Sequence, residues 1–295
     1  MTKVGLLLLG YSRPELLEER IRELSELNSQ KLDILISIDK YEGPNQEFIE
    51  RSFSRIEEEF SELLWIKNSK RFGLANHLTM RLSECFQNYD IMMIIEDDVS
   101  TSPSSINSLA SILQSDQSEG FFTAGLFGAL PNGTPTRNQW RFTRYFSAWG
   151  WGITKQIWPL YDLEIVSKLG RGKIKQSKNW RHLNATQQRR WDRRFAVVED
   201  NPTLTWDFQM QFISWLEGLD HLLPTIRLSE NVGFGDDRAT NTKGSRPRWY
   251  RGKMSTVSHI QPHDIAGKLV TRTSSLIDSY TWIGDRKIFD RKRNK

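Results

Sequence analysis

Three consecutive carboxylates, Glu96, Asp97 and Asp98, directly follow the apolar run of residues 92–95. The run reads Met-Met-Ile-Ile and is typical of a buried strand, whereas carboxylates repel one another and resist losing water. Either the strand has reached solvent and the acids form a hydrated turn, or a positive charge lies beside them. Neighbouring carboxylates suit a hard cation such as Mn²⁺ or Mg²⁺, which commonly shares its ligands with substrate phosphates. An extended chain would place Glu96 and Asp98 on one side and Asp97 on the other.

The elements that must position these acids alternate between strand and helix patterns. The predicted strands cover residues 3–10, 33–39, 63–68 and 90–98, and the predicted helices between them cover residues 13–27, 45–64 and 74–86. This order predicts an α/β fold with a mainly parallel, doubly wound sheet flanked by helices.

Ligands of such sheets bind beyond the carboxyl ends of the strands. Tyr11 and Arg13 follow the first predicted strand and Asp39 follows the second, so we expect them on the same rim as Asp98. Two structural interpretations stay open: Arg13 could pair with an acid of the next helix, and Asp39 could cap a turn.

Trp149 and Trp151 alternate with two glycines in the stretch FSAWGWGITKQIW at 146–158. Aromatic faces beside bare backbone suit the apolar faces of sugars. Core packing is the alternative for both tryptophans.

Composition narrows the class of protein. The chain has 295 residues, 38% of them hydrophobic, and a single cysteine, which excludes an intrachain disulfide framework and a cysteine zinc site. The apolar stretch near residue 5 is too short for a signal peptide, and no stretch approaches the roughly 18 apolar residues of a membrane span. We therefore expect a cytoplasmic protein.

The charge is unevenly distributed. From residue 241 onward 13 Lys and Arg face 4 Asp and Glu, which makes a basic tail. A basic tail suits anionic partners or a solvated surface, and peripheral contact with the inner face of a membrane is one expectation. Residues 168–201 are also basic and are interpreted as an acceptor-recognition insert, a mobile lid or an exposed helix.

The ordered set GYSRP, ISID, RFGLANH and IIEDDV, followed by FSAWGWGITKQIW, TWDFQMQ and ENVGFGDD, resembles a family. It is similar to GT-A fold glycosyltransferases, in particular the N-acetylglucosaminyltransferase I type and bacterial family-2-like relatives. The resemblance implies a Rossmann-like GT-A domain over residues 1–240, with a nucleotide-sugar half at 1–100 and an acceptor half at 101–240. Residues 241–295 would be a basic C-terminal extension.

The resemblance also implies roles in the nucleotide-sugar half. Asp98 would bind Mn²⁺ or Mg²⁺, which bridges the nucleotide diphosphate, while Asp97 would approach the ribose and donor sugar with Glu96 in support. Arg13 and Asp39 would hold uracil and ribose. The remaining members of this implied donor pocket are Tyr11, on the same rim, and Gly73, where the absence of a side chain permits close backbone approach.

In the acceptor half the resemblance implies sugar contacts for Trp149 and Trp151 and a proton-accepting role for Asp207. Asp207 lies in the first turn of a predicted helix, where the helix dipole alone favours an acid. Weaker rivals for the base are Asp200, Asp236 and Asp237. His263 in the basic tail is a candidate metal ligand.

The expected function is a metal-dependent, inverting transfer of a sugar from a UDP-sugar to a hydroxyl of a glycan or lipid-linked acceptor, without a specific nucleic-acid partner. Two alternatives stay open. A sugar-phosphate nucleotidyltransferase would need a glycine-rich loop after the first strand, where this chain has only GYSRP. A non-catalytic carbohydrate-binding protein would use the eleven tryptophans but would not need the acids at 96–98.

Overall fold

The computed structural model describes residues 2–27, 32–115, 120–128 and 140–239, residue 244, and the backbone of residues 271–272. Within this part of the chain the strands are β1 Val4–Gly10, β2 Asp33–Ile38, β3 Leu64–Lys67, β4 Ile91–Glu96, β5 Val99–Thr101, β6 Phe121–Gly125, β7 Trp140–Thr143, β8 Trp151–Thr154, β9 Asp220–Pro224, β10 Ser229–Asn231 and β11 Thr271–Arg272. The α-helices are α1 Pro14–Leu24, α2 Gln46–Glu59, α3 Leu74–Cys85, α4 Pro103–Leu113, α5 Ile165–Leu169, α6 Lys178–Arg181, α7 Ala185–Asp200 and α8 Asp207–Glu217.

Nine of these strands form one sheet in the order β11-β7-β9-β6-β8-β4-β1-β2-β3. Strands β1 to β4 are parallel to one another, as the alternation of strands and helices predicted. Strand β8 is antiparallel to both β4 and β6 and joins this half to the rest of the sheet. Parallel pairs remain the majority, so the predicted α/β class with a mainly parallel sheet is confirmed.

Helices cover both faces of the sheet. Along β1, Leu6 and Leu8 pack into one apolar core with residues of α1, α2 and α4, while Leu7 and Leu9 pack into a second core with residues of α3 and α8. Because successive side chains of a strand point to opposite faces, a strand covered on both sides is apolar throughout.

Residues 165–217, here called the helical subdomain, build a third core of largely aromatic side chains. Its buried members include Trp180, Trp191, Phe195, Phe212 and Trp215. Helix α7 begins with a capping box, in which the Asn184 side chain accepts from the Gln187 amide and the Gln187 side chain accepts from the Asn184 amide. The basic segment at 168–201 is therefore built into a packed body.

Strands β5 and β10 form a separate antiparallel pair beyond the end of β4. This pairing brings residues 229–239 back to the first half of the chain. In the tail, β11 pairs with β7, whereas most of residues 241–295, including His263 and the basic end proposed for membrane contact, lie outside the described residues. No helix in the described part of the chain is long and apolar enough to cross a membrane.

Candidate active site

Glu96, Asp97 and Asp98, here called the acid turn, lie where β4 ends and the chain turns into β5. Arg13, from the loop after β1, forms an ion pair with the Asp97 carboxylate, and its Nη2 lies 3.1 Å from Oδ2 of Asp98. The positive charge that the sequence required is thus supplied by the chain itself. The expected alternation of Asp97 and Asp98 is wrong, because the chain turns after Glu96 and one guanidinium reaches both carboxylates.

The register of the sheet accounts for this meeting. Leu9 of β1 pairs with Glu96 of β4, and the Asp97 amide donates to the Leu9 carbonyl at 2.9 Å. Arg13 lies four residues beyond Leu9, immediately before Pro14 starts α1. With exposed fractions of 9% for Arg13, 3% for Asp97 and 6% for Asp98, the three charges are largely withdrawn from water.

Burial governs the electrostatics of the turn. It raises the pKa of Glu96 well above its usual range, and the charges of Asp98 and Asp97 add to this effect. Burial also raises the pKa of Asp97 to about 7, against the opposing effect of Arg13. The buried turn therefore resists carrying several negative charges beside one guanidinium, and a further cation would stabilise the ionised carboxylates.

Asp98 is the acid best placed to receive that cation. Its Oδ2 faces Arg13, while its buried Oδ1 has no hydrogen-bond partner among the described residues. No group of three or more His, Cys, Asp or Glu side chains in that part of the chain is arranged to hold a metal. A divalent ion with one carboxylate ligand and substrate phosphates for the others fits this arrangement.

Gly233 leaves the space for the Arg13–Asp98 contact. A Cβ atom at Gly233 would lie 2.5 Å from Oδ2 of Asp98 and 2.8 Å from Nη1 of Arg13. The backbone is held in place because the Val232 amide donates to the Asp98 carbonyl at 2.8 Å. Gly233 thus packs against the acid turn with backbone atoms alone.

Asp39 lies on the same rim, at the end of β2 beside β1, and its amide donates to the Gly10 carbonyl at 3.0 Å. Its carboxylate accepts from the Phe72 amide at 3.0 Å, the Gly73 amide at 2.8 Å and Nδ2 of Asn68 at 3.0 Å. These donors occupy most of the acceptor capacity of a carboxylate. The geometry favours a bracing role for Asp39 on the loop at 68–73 over direct contact with a ribose.

Gly73 is the N-cap of α3 and has φ of +76°, a conformation that favours glycine, and nothing lies within 4 Å of where its Cβ would be. The backbone at Gly73 is therefore accessible to a ligand. Tyr11 lies on the rim nearby, with its ring centroid 5.3 Å from that of Tyr41 and the Arg71 guanidinium 5.5 Å from its own centroid.

A buried network of polar side chains from β2 and α3 holds the loop at 68–73 through Asn68. Nε of Arg81 donates to Ser37 Oγ at 3.1 Å, and its Nη2 donates to Oδ1 of Asn68 at 2.6 Å. Ser37 Oγ also lies 2.7 Å from Nε2 of His77, so its own proton is available to this nitrogen. Burial lowers the pKa of His77 to about 4, which keeps the ring neutral. The sequence interpretation missed this network, because its members are spread over two elements and a loop.

The two tryptophans of the predicted sugar contact have different positions. Trp149 is half-buried, with its ring centroid 4.6 Å from that of Phe127 and 5.8 Å from that of Phe234. Trp151 is 1% exposed and stacks on Trp206 at 5.2 Å. Trp151 offers no face to a sugar, so its predicted role is corrected to core packing, as expected for a residue of a central strand.

Asp207 is the first residue of α8 and is partly exposed. Burial raises its pKa to about 6, although the charge of Arg194 lowers it. The negative charge of Asp207 contributes, as the smallest of the causes, to the raised pKa of Glu96. The start of α8 therefore carries a titratable carboxylate that interacts electrostatically with the acid turn.

The rival bases are placed less favourably. Asp200 and Asp237 are exposed, Asp200 at the end of α7. Asp236 pairs with Arg238 at 2.8 Å, and this hydrogen bond lowers the pKa of Asp236 below its usual range. A carboxylate with a lowered pKa is a weaker proton acceptor than one with a raised pKa.

No protein-family model matches the chain, and no curated protein sequence matches it either. The chain has a weak structural likeness to the mannosyltransferase PcManGT from Pyrobaculum calidifontis in complex with GDP-Man and Mn²⁺, with 14% identity, a TM-score of 0.40 and coverage of 57% of this chain and 46% of the other. It is also similar to GalNAc-T7 with UDP, GalNAc and Mn²⁺, with 8% identity, a TM-score of 0.47 and coverage of 76% of this chain and 43% of the other. A third similar structure is S. aureus TarS, with 10% identity, a TM-score of 0.38 and coverage of 55% of this chain and 30% of the other.

The chain thus spans less than half the length of each of these solved structures. With identities of 14% or less and TM-scores below 0.5, these likenesses assign neither a substrate nor a reaction to this chain.

Proposed function

We propose that this protein is a metal-dependent glycosyltransferase that moves a sugar from a UDP-sugar to a hydroxyl of a glycan or lipid-linked acceptor with inversion. The observation that supports it best is the arrangement at one rim of the sheet. A buried acid turn retains an Asp98 oxygen with no hydrogen-bond partner among the described residues, and a second, titratable carboxylate at the start of α8 interacts electrostatically with Glu96 of the turn. One site thus offers a ligand for a divalent ion and a separate proton acceptor.

The donor would lie across the carboxyl ends of β1, β2 and β4. Asp98 would hold Mn²⁺ or Mg²⁺, which when bound shields the charge of a diphosphate leaving group. Tyr11 and the loop at 68–73, braced by Asp39, would bind the nucleoside. The accessible backbone of Gly73 permits close contact. Arg13 holds Asp97 and Asp98 in position, and its buried Nη1 has no hydrogen-bond partner in the described residues, so that a phosphate bound at the turn would supply the acceptor that it lacks.

The acceptor would approach from α8. As its hydroxyl oxygen attacks the anomeric carbon, the bond from that carbon to the diphosphate oxygen breaks, and the hydroxyl proton passes to the Asp207 carboxylate. Asp207 would then release this proton to solvent. Trp149, half-buried between Phe127 and Phe234, remains a candidate for contact with one of the sugars.

The alternatives are less compatible with this geometry. Only residues 11–13 separate β1 from α1, which leaves no room for the glycine-rich loop expected of a nucleotidyltransferase. Of the nine tryptophans in the described part of the chain, seven are buried, so a binding surface lined by tryptophans is not favoured there.

The test is a nucleotide-release assay with a panel of UDP- and GDP-sugars, with Mn²⁺ or with EDTA. Nucleotides and Mn²⁺ are the first ligands to examine, because they are present in the PcManGT and GalNAc-T7 structures. We expect release of UDP from one donor that requires the divalent ion and is lost in Asp98→Asn. Release that is indifferent to both EDTA and Asp98→Asn would contradict the proposal.

A further inference from the structure

Two buried charges lie beside the loop at 68–73, namely Asp39 directly after β2 and Arg81 in α3. Asn68 joins them: its Oδ1 accepts from Nη2 of Arg81 at 2.6 Å, and its Nδ2 donates to Oδ1 of Asp39 at 3.0 Å. A guanidinium can only donate and an ionised carboxylate can only accept, so one orientation of the amide satisfies both neighbours. The Asn68 side chain is therefore fixed between the two charges.

Asp39 also holds the far end of the loop. Its carboxylate accepts from the Phe72 amide at 3.0 Å and from the Gly73 amide at 2.8 Å. At the near end, the backbone amide of Asn68 donates to the Ile38 carbonyl at 2.9 Å. Both ends of the loop are thus tied to the carboxyl end of β2, and the Asp39 carboxylate takes part in both ties.

The loop reaches the rim of the proposed donor site. The Arg71 guanidinium lies 5.5 Å from the ring centroid of Tyr11. Tyr11 is two residues from Arg13, which contacts both aspartates of the acid turn. The backbone at Gly73 has open space where a Cβ would be. The hydrogen bonds of Asp39 therefore end at backbone that a ligand can reach.

Core stability alone does not require this network. Asp39 and Arg81 are 3% and 7% exposed, and burying charges costs free energy that packed apolar side chains would not cost. The hydrogen bonds instead fix peptide groups of the loop. A loop that already has its binding conformation loses less conformational entropy when a ligand binds, so the network favours binding.

We propose that Asn68 and Arg81 are positioning residues for the donor. They orient Asp39 and hold the loop at 68–73 in the conformation that binds the nucleoside, without touching the nucleotide themselves. This inference rests on the proposed function and adds residues that determine affinity for the nucleoside part of the donor.

The test is calorimetric binding of UDP and of methyl diphosphate to the full chain, each with Mn²⁺. Methyl diphosphate lacks the nucleoside, so it reports on the diphosphate and the metal alone. Asn68→Asp keeps the size of the side chain and its pairing with Arg81, but it turns a second carboxylate towards Asp39. UDP affinity should fall by about 10- to 100-fold, the usual value of a hydrogen bond to a charged group, and methyl diphosphate affinity should not change.

A double variant tests whether the two residues act in series. Arg81→Lys keeps the charge but loses the planar donors that reach Ser37, Asn68 and Glu84, so UDP affinity should fall by about 3- to 10-fold. Asn68→Ser removes the amide that transmits this effect. Asn68→Ser combined with Arg81→Lys should therefore bind UDP no more weakly than Asn68→Ser alone. Asn68 is half-buried in a loop, so its variants decide the outcome if Arg81→Lys does not fold.

Tyr89→Phe is the matched control. The Tyr89 hydroxyl donates to Oδ2 of Asp33 at 2.9 Å, and Asp33 begins β2, at the opposite end of the strand from Asp39. The control loses a hydrogen bond to a carboxylate of the same strand and should melt at a lower temperature. It should bind UDP as the wild type does.

Four results would each overturn the inference: undiminished UDP binding to Asn68→Asp, an equal loss of affinity for UDP and methyl diphosphate, additive losses in the double variant, or a comparable loss in Tyr89→Phe. In all four cases the wild type would still bind UDP with Mn²⁺, and the proposed function would stand. Failure of the wild type to bind UDP would instead remove the proposed function, and the inference with it.

Discussion

The acid turn after β4 and the start of α8 both carry candidate site carboxylates, but the surroundings of these carboxylates differ. In the acid turn, the guanidinium of Arg13 lies against both Asp97 and Asp98 inside the fold. At the start of α8, Asp207 has a pKa raised to about 6 by burial, and the charge of Arg194 offsets this only in part.

The difference indicates two chemical roles, metal binding and proton transfer. A carboxylate in contact with a buried guanidinium is held in position, which suits the binding of a metal ion. A carboxylate with a pKa near neutrality gains and loses a proton at modest cost, which suits proton transfer. The predictions below test this division of roles.

The largest effect is expected at Asp98. Asp98→Asn keeps the shape of the side chain but removes the charge, so Mn²⁺-dependent turnover should fall to the metal-free level. Arg13 would keep its pair with Asp97, and the free energy of unfolding should decrease by only about 1–3 kcal/mol. Metal-dependent nucleotide release and urea unfolding measure the two effects. Normal turnover in Mn²⁺ would show that Asp98 does not bind the ion.

Asp207→Asn should separate chemistry from binding. The rate of transfer should fall by about 10²–10⁴, the usual contribution of a positioned base. Affinity for the UDP-sugar should change little, because the donor would contact the other half of the sheet. Calorimetry with the donor and kcat with the acceptor give the comparison. Lost donor affinity would place Asp207 in the donor pocket, and an unchanged kcat would pass the role to Asp200, Asp236 or Asp237.

Gly233→Ala tests whether the packing of Gly233 keeps Arg13 and Asp98 in position, and it changes no charged residue. The added Cβ would lie within 2.8 Å of Arg13 and Asp98 atoms and should push them apart. Because the residues that orient a metal ligand typically contribute 10- to 100-fold to affinity, half-saturation should require about 10-fold more Mn²⁺. Gly172→Ala is the control, since it has φ of −62° and open space around it. Identical Mn²⁺ titrations for both variants would contradict the proposed contact.

The smallest effect is expected in the pH dependence of kcat and of stability, which the titration of Asp207 causes. An ionised Asp207 is needed for base catalysis, so kcat should rise with pH up to about 6 and then level off. Stability should move in the opposite direction. The unfolded chain releases this proton near pH 3.9, and the folded chain keeps it to about pH 6, so stability falls as pH rises through that interval.

Asp207→Asn lacks this titration and should therefore melt at a higher temperature than the wild type above pH 6. Melting curves at pH 4 and pH 7.5 provide the measurement. A variant that is less stable than the wild type at pH 7.5 would mean that the ionised carboxylate stabilises the fold.

The sequence alone determined the first half of the fold. The apolar runs that became β1, β2 and β4 are long and are separated by helical repeats, and such local periodicity predicts a parallel sheet without knowledge of tertiary contacts. The placement of Tyr11, Asp39 and Asp98 at one rim followed, because parallel strands bring their carboxyl ends together. The position of Asp207 in the first turn of a helix was also predicted, since it directly precedes an amphipathic pattern.

Only the tertiary structure decided what these side chains contact. The pairing of Arg13 with two acids depends on the register of β1 with β4, and the role of Trp151 depends on β8 entering the sheet beside β4. The bracing of the loop by Asp39, the space left by Gly233 and the contact of Arg194 with the Phe208 ring all depend on residues from different elements of the fold. The physical reason is the distance along the chain over which each property is determined. Periodicity and helix starts depend on neighbours a few residues away, whereas burial and ion pairing depend on the packing of distant segments.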